Sequence, residues 1–395
     1  MATTARAPVT AQPESAKRRR ADLLWLALAL ACVIGGRLTL LLSSPEHSND
    51  FDSLYHAALQ LLRGENPYRA AQPSSPLFYP LPAVFFAVPF TLLPLAIARA
   101  VLDIVTGSAF VYALWKVRGR YALLAVLSGS FIAAQYWGDL TPLMVVASLF
   151  PVFGFLLVLR PNTGTALWLA RPSRLAAIAG AGVLLLSFIL YPSWPRDWIS
   201  CLLHSNEGLL PIVFRPFGFV LLLAAVRVKK PEGRLLFALA LIPQTAMPFE
   251  LVPLALIPSN LKEMGIYVVG TLLTLVPIIA GWQEGLPGTA IQANTWPWML
   301  VGVYLPMLWL VLRTPGKKAK VVVGKERRRA NRLADEELKV DFAASPNGGF
   351  MAKVTHLPTG LYSSESGQTR ELAERKAHDK LAAILAEMRR ARKKA

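Results

Sequence analysis

Cysteine and histidine are scarce in this 395-residue chain, with Cys32, Cys201 and five histidines. There is no CxxC pair, and the histidines follow no metal-ligand spacing. Both facts argue against a zinc site, a redox dithiol or a disulfide framework, and no cofactor is called for. Charge is also missing from long runs. Residues 23–42 carry only Arg37, and 175–191 carry none. Soluble domains interrupt their apolar runs with charges, and here the chain does not.

What is present is apolar sequence, 54% of all residues. Runs near twenty residues match a hydrocarbon core of ~30 Å at ~1.5 Å rise per residue. The expected fold class is therefore an all-α polytopic membrane protein. Candidate segments fall near 22–43, 79–97, 99–117, 121–136, 140–159, 174–192, 209–228, 234–257, 264–282 and 297–313, about 8–10 in all. Residues 1–20 read as a disordered basic N-terminus. The run Lys17-Arg18-Arg19-Arg20 points to an uncleaved first span with a cytoplasmic start.

Two topologies are compatible with this pattern. If all ten segments cross, Lys116, Arg118, Arg120, Arg160, Arg171, Arg174, Lys229 and Lys230 fall outside, against the positive-inside tendency. If the proline-rich segments 79–97 and 234–257 are re-entrant or broken, every basic loop falls inside. Non-helical backbone at membrane depth then requires a cavity or a protein wall around it. Either count keeps both termini cytoplasmic in a multi-pass plasma-membrane protein.

The longest polar stretch of the membrane part is 43–78. Asn49 is an N-cap candidate, with Asp50 and Asp52 in the first turn. Phe51, Leu54, Tyr55, Ala58, Leu61 and Leu62 recur at helical spacing up to Gly64 and Pro67, which gives an amphipathic surface helix. The two carboxylates admit two readings: helix capping, or a general base at the membrane surface facing a lipid-borne substrate.

Asp50-Phe51-Asp52, then Gly64-Glu65-Asn66-Pro67-Tyr68, then Tyr79-Pro80-Leu81-Pro82 resemble the motifs of glycosyltransferase family 87, whose fold is of the GT-C type. Trp137-Gly138-Asp139-Leu140-Thr141-Pro142-Leu143, Arg160-Pro161-Asn162 and Pro243-Gln244-Thr245 with Phe249-Glu250 continue the likeness through 22–313. Asp139 stands where that pattern has Gln, and Arg160 where it has Lys. The resemblance implies inverting transfer of a sugar, often mannose, from a polyprenyl-phosphate donor to a lipid or glycan acceptor on the non-cytoplasmic face. Asp50 matches the base position, with Asp52 able to assist. Tyr55, Tyr79, Asp139, Arg196, His204, Arg215 and Glu250 are candidate substrate-binding residues. Arg196, His204 and Arg215 equally suit interfacial snorkelling. Trp194, Trp198, Trp282, Trp296 and Trp298 suit either an aromatic belt or sugar stacking. Glu250, an ionisable group in an apolar segment, is a functional candidate in its own right.

After residue 315 the composition changes. From Gly316 onward 19 Lys and Arg face 10 Asp and Glu, a net of +9, half of the chain's +18. The expected division is a membrane domain over 21–315, a basic linker over 316–336 and a small α/β module over 337–395. Strands are expected at 337–343 and 350–355, a turn at Pro358-Thr359-Gly360, and a helix over 371–392. Lys317, Lys318 and Lys320 are placed to meet anionic lipid headgroups. The stretch Thr355-His356-Leu357-Pro358-Thr359-Gly360 resembles the peptidyl-hydrolysis domain of class I release factors. Its Gly-Gly-Gln is absent, since Phe350 follows Gly348-Gly349. RNA or ribosome contact by this basic module, and a transporter or flippase role for the membrane part, are the alternative functions.

Overall fold

Among the described residues, four helices are long and apolar enough to cross a membrane: Asp22–Leu42, Leu95–Arg118, Leu261–Gln283 and Gly288–Arg313. They belong to a computed structural model that describes residues 13–43, 49–68, 77–204, 209–313, 338–344, 350–356, 362–367, 372–374, 376–377 and 379–381. A fifth candidate is the pair Arg174–Leu190 and Trp194–Leu203, bent by 97° at Tyr191–Ser193. The outer faces of these helices are apolar. Leu24, Leu28, Leu185, Ile189 and Val269 are each about half exposed or more, a surface suited to lipid and not to water. The chain is a mostly helical membrane protein.

Helix α1 (Pro13–Ser43) begins before the basic run, so Lys17 to Arg20 are helical. The surface helix α2 (Asp50–Leu62) follows the expected bounds, with Gly64 at φ 77° just beyond its end. Its apolar face, Phe51, Leu54, Tyr55, Ala57 and Ala58, is buried. It packs on α3 (Leu81–Ala87) and on the 3-10 turn Val88–Leu92. Next come α4 (Leu95–Arg118), α5 (Gly129–Trp137), α6 (Thr141–Leu149), α7 (Pro161–Ala170), α8 (Arg174–Leu190) and α9 (Trp194–His204). The remainder of this unit is α10 (Pro231–Leu241), α11 (Leu261–Leu273), α12 (Leu275–Gln283), α13 (Gly288–Met299) and α14 (Leu305–Arg313). A π turn, Leu300–Tyr304, joins the last two.

The segments 79–97 and 234–257 are broken, as their prolines suggest. Pro82 opens α3, and Pro89 lies in the following 3-10 turn. Downstream of α10, the 3-10 run Pro248–Leu256 contains Pro253. Three further apolar segments break as well. In 121–136, the 3-10 run Arg120–Leu127 ends at Ser128, which is extended and whose hydroxyl accepts from Phe131 N at 3.2 Å to cap α5. In 140–159, Phe150 turns extended ahead of Pro151, as the residue before a proline is driven to do. In 209–228, Phe217 takes φ 60° before the 3-10 run Gly218–Arg227. An apolar run reports burial or lipid contact, not an unbroken helix.

Backbones approach closely inside this unit. A Cβ on Gly129, the first residue of α5, would lie 2.1 Å from the Thr271 carbonyl oxygen of α11. Small residues at such crossings let membrane helices pack by van der Waals contact.

The chain divides into two compact units, Met1–Arg313 and Thr314–Ala395. The second holds an antiparallel sheet of β3 (Leu338–Ala344), β4 (Phe350–His356) and β5 (Tyr362–Gly367), following the two-residue strands β1 (Leu210–Pro211) and β2 (Pro243–Gln244) of the first unit. Ala352 and Val354 on one face of β4 are buried with Ala373, Ala377 and Leu381, which belong to the helical residues 372–374, 376–377 and 379–381. Those spacings of two and four are the strand and helix periods. The third strand was not expected from the sequence, and the turn at 358–360 lies outside the described residues.

Gly129→Ala is expected to destabilise the protein by about 1–3 kcal/mol through overpacking. Gly182→Ala, where a Cβ meets nothing within 4 Å, should be neutral or slightly stabilising. Thermal unfolding of the two variants in detergent separates these outcomes.

Candidate functional site

The N-terminus of α2 is fixed first by local chemistry. Asn49 Oδ1 accepts from Phe51 N at 3.1 Å, and the Asp52 carboxylate accepts from Asn49 N at 3.1 Å, a reciprocal capping box. Arg99 of α4 then grips Asp52 with two parallel bonds, Nε to Oδ1 at 2.5 Å and Nη2 to Oδ2 at 2.6 Å. Bidentate pairs of this kind fix geometry as well as charge. Asp52 therefore anchors the helix, and Asp50 is the partly exposed carboxylate of the turn.

A second turn lies against this one. Gly138, at φ 64°, closes α5, and a Cβ there would fall 2.6 Å from Asn49 Nδ2. The left-handed backbone and the close contact both require glycine. The next residue, Asp139, accepts from Thr141 N at 2.7 Å and pairs with Arg160.

Arg160 is the hub. It contacts the Asp139 carboxylate, donates to Thr141 Oγ1 at 2.8 Å, and donates to Glu250 Oε1 at 2.8 Å. Its guanidinium lies 5.2 Å from the centre of the Phe249 ring. Glu250 also accepts from Thr245 at 3.3 Å and from Thr163 at 3.4 Å. Asp139 and Glu250 are 2% and 1% exposed. Burying such charges costs several kcal/mol per ion, offset only when each is paired and hydrogen-bonded.

Tyr79 and Asp50 are close enough to Arg160 for electrostatic interaction, and Asp50 acts in the same way on Tyr79. Arg215 and Tyr304 are within electrostatic range of Glu250. The pairing of β1 with β2 brings the Arg215 loop beside Gln244, whose carbonyl accepts from Arg215 Nη2 at 3.0 Å. Arg215 also stacks over Trp296 at 5.8 Å. The structure thus gathers Asp50, Tyr79, Asp139 and Glu250 around Arg160, with Arg215 within electrostatic range of Glu250.

Other sequence candidates fall elsewhere or serve the framework. Tyr55 is buried and donates to the Leu93 carbonyl at 2.8 Å. Arg196 is exposed on α9 with no ion pair among the described residues, and the side chain of His204 lies outside them. The tryptophans divide. Trp198 donates to the Phe78 carbonyl at 2.9 Å and Trp296 to the Pro216 carbonyl at 3.0 Å, so both tie loops to helices. Trp282 packs tilted against Trp137 at 5.5 Å, and Trp137 meets Phe249 edge-to-face at 5.8 Å, giving the hub an aromatic wall.

Sequence reasoning missed Arg99, Thr141, Thr163, Thr245 and Tyr304. A helix-borne arginine one turn from Asp103 was the available signal for Arg99; the threonines stood in or beside the motif segments but carried no charge to single them out. The loop motif also has an anchor the sequence did not disclose: Asn66 donates to Asp197 of α9 at 2.9 Å. Tyr68 beside it donates to the Tyr79 carbonyl at 3.2 Å, and burial holds its phenol well above the ordinary range, so it stays a neutral donor. Among the described residues, no group of three or more His, Cys, Asp or Glu is placed to hold a metal ion.

Compared with known proteins, the chain matches no family model, and no curated protein or solved structure is significantly similar to it.

Arg160→Met should cost about 3–5 kcal/mol, because two carboxylates lose their shared partner. Adding Glu250→Gln should restore part of that loss by removing one uncompensated charge. If the single variant unfolds at the parent's temperature in detergent, the three charges are not energetically coupled.

Proposed function

We propose that the membrane unit is an inverting glycosyltransferase of the GT-C type that uses a polyprenyl-phosphate sugar, with mannose the first candidate. In this reading Asp50 is the general base. The acceptor, a lipid or glycan hydroxyl, gives its proton to Asp50 as its oxygen attacks the anomeric carbon. The bond from that carbon to the phosphate oxygen breaks, and polyprenyl phosphate leaves with the electron pair. The leaving group is already a stable anion, so proton removal and phosphate binding are the main tasks left to the protein. Arg215 is the candidate to receive the phosphate, because Arg160 is committed to Asp139 and Glu250.

One observation carries this reading. Asp50, Tyr79, Asp139, Arg160 and Glu250 come from motifs spread over 200 residues, and they lie together. The two departures from the family pattern fall on one contact: Asp139 and Arg160 are each other's partners, so the exchange of Gln for Asp makes this contact an ion pair. The topology that goes with this reading has 8–10 membrane segments, some re-entrant, with both termini in the cytoplasm and the site outside the plasma membrane's inner face.

Asp50→Asn is expected to lower transfer from radiolabelled polyprenyl-phosphate mannose in membrane preparations by about 10²–10⁴-fold, with thermal unfolding unchanged. Asp52→Asn should lower stability by about 1 kcal/mol or more through the cap and the Arg99 pair, and activity only secondarily. Undiminished transfer by Asp50→Asn, and by the double variant with Asp52→Asn, would end the assignment of the base.

A further inference from the structure

Away from this site, the first membrane helix and α5 enclose a groove of about 350 Å³. Its walls are mostly apolar: Cys32, Val33, Gly36, Leu40, Phe131 and Ile132. That volume lies at the low end of those that hold small apolar ligands. Its floor is not apolar. Arg37, 6% exposed, lines it together with Gln135. Arg37 Nε lies 2.9 Å from Asp103 Oδ2 of α4 but is not aligned for a hydrogen bond. Arg37 Nε and Nη1, both polar atoms of Gln135, and Asp103 Oδ2 are buried without hydrogen-bond partners among the described residues. Unmet polar groups at such depth cost about 1–3 kcal/mol each. A second groove of similar size, lined by Gly154, Val158, Trp168, Ala177 and Leu184 among others, has no comparable unmet groups.

We propose that the α1–α5 groove is a lipid site that seats a diacyl glycerolipid of the surrounding bilayer. One acyl chain lies along the groove, and an ester carbonyl accepts from Arg37 and Gln135. Three observations select this occupant. The unmet groups are three donors, Arg37 Nε, Arg37 Nη1 and Gln135 Nε2, against two acceptors, Gln135 Oε1 and Asp103 Oδ2, and the excess of donors calls for an acceptor oxygen. The charge of Arg37 is already matched by Asp103, so a neutral acceptor fits better than a phosphate. Arg37 is five residues, about 7–8 Å, from the end of its span at Leu42, near the boundary where ester groups lie. Ile34, Leu38 and Leu42 on the same helix are exposed, so the groove's surroundings are suited to lipid. The site does not rest on the transferase reading. It does reach the same framework, since Asp103 also feels the Arg99–Asp52 pair that anchors α2.

The test uses the full-length chain in phosphatidylcholine nanodiscs doped with a phosphatidylcholine that carries a diazirine in one acyl chain. After photolysis, peptide mapping should find Val33, Gly36, Leu40 and Ile132 labelled more densely than Leu185 and Ile189 on the exposed face of α8. Gln135→Leu, which keeps the Arg37–Asp103 pair, should lower groove labelling about tenfold, as loss of one charge-neutral bond with its desolvation cost implies. Gly36→Leu fills open space and should remove the enrichment. An ether-linked probe with the same phosphate and chains should label the groove no more than α8. Groove labelling at the α8 level in the parent protein, or labelling that survives both substitutions, overturns the site. Equal enrichment with the ether probe overturns the carbonyl assignment.

Discussion

The membrane unit is organised around a guanidinium shared by two buried carboxylates. Arg160, largely shielded from solvent, lies between Asp139 and Glu250, with Phe249 beneath it and Thr141 taking one of its remaining donors. In a low-dielectric interior each of these charges is tolerable only while the others are present. The requirement reaches outward. Asp139 must emerge from a turn tight enough to need Gly138, and that turn must seat against Asn49. Glu250 must sit on a proline-broken run whose threonine neighbours take its other lone pairs. Four separate pieces of chain are thus held at one place by a single set of ionic contacts.

The same logic explains the deeper pairs. Arg37 with Asp103, and Arg99 with Asp52, place the buried charges of the first spans beside opposite ones. Asp52 serves two masters, a helix cap and a salt bridge. That double use lets the neighbouring Asp50 remain the partly exposed carboxylate of the same turn.

Much of this was legible in the residues, for identifiable reasons. The surface helix was readable because Asn49, Asp50 and Asp52 are start signals and Gly64 is a stop signal, all local in sequence. The long helices were readable from the match between run length and bilayer thickness. The breaks in 79–97 and 234–257 were readable from their prolines. The breaks at Ser128 and Phe217 were not, because apolar composition persists through them and only backbone geometry reveals the turn. Among the site residues, Asp50, Tyr79, Asp139, Arg215 and Glu250 were picked out by motif or by charge in an apolar setting. Arg160 was noted only as a motif position. Its role depends on Glu250, ninety residues away, and spacing in a sequence carries no information about such a contact. Tyr55 illustrates the converse: a motif tyrosine whose hydroxyl is used up by the Leu93 carbonyl.

The spacing of the hub along the chain also has a consequence for biosynthesis. Asp139 and Arg160 are 21 residues apart and leave the ribosome within seconds of each other at ordinary elongation rates of about 5–20 residues per second. The arginine can therefore enter the bilayer already neutralised. Glu250 arrives ninety residues later as a net negative charge, and it meets an arginine that has been waiting in place. The order of synthesis lets the pair be inserted first and the third charge be recruited to it, so the nascent chain never has to carry Arg160 into lipid alone.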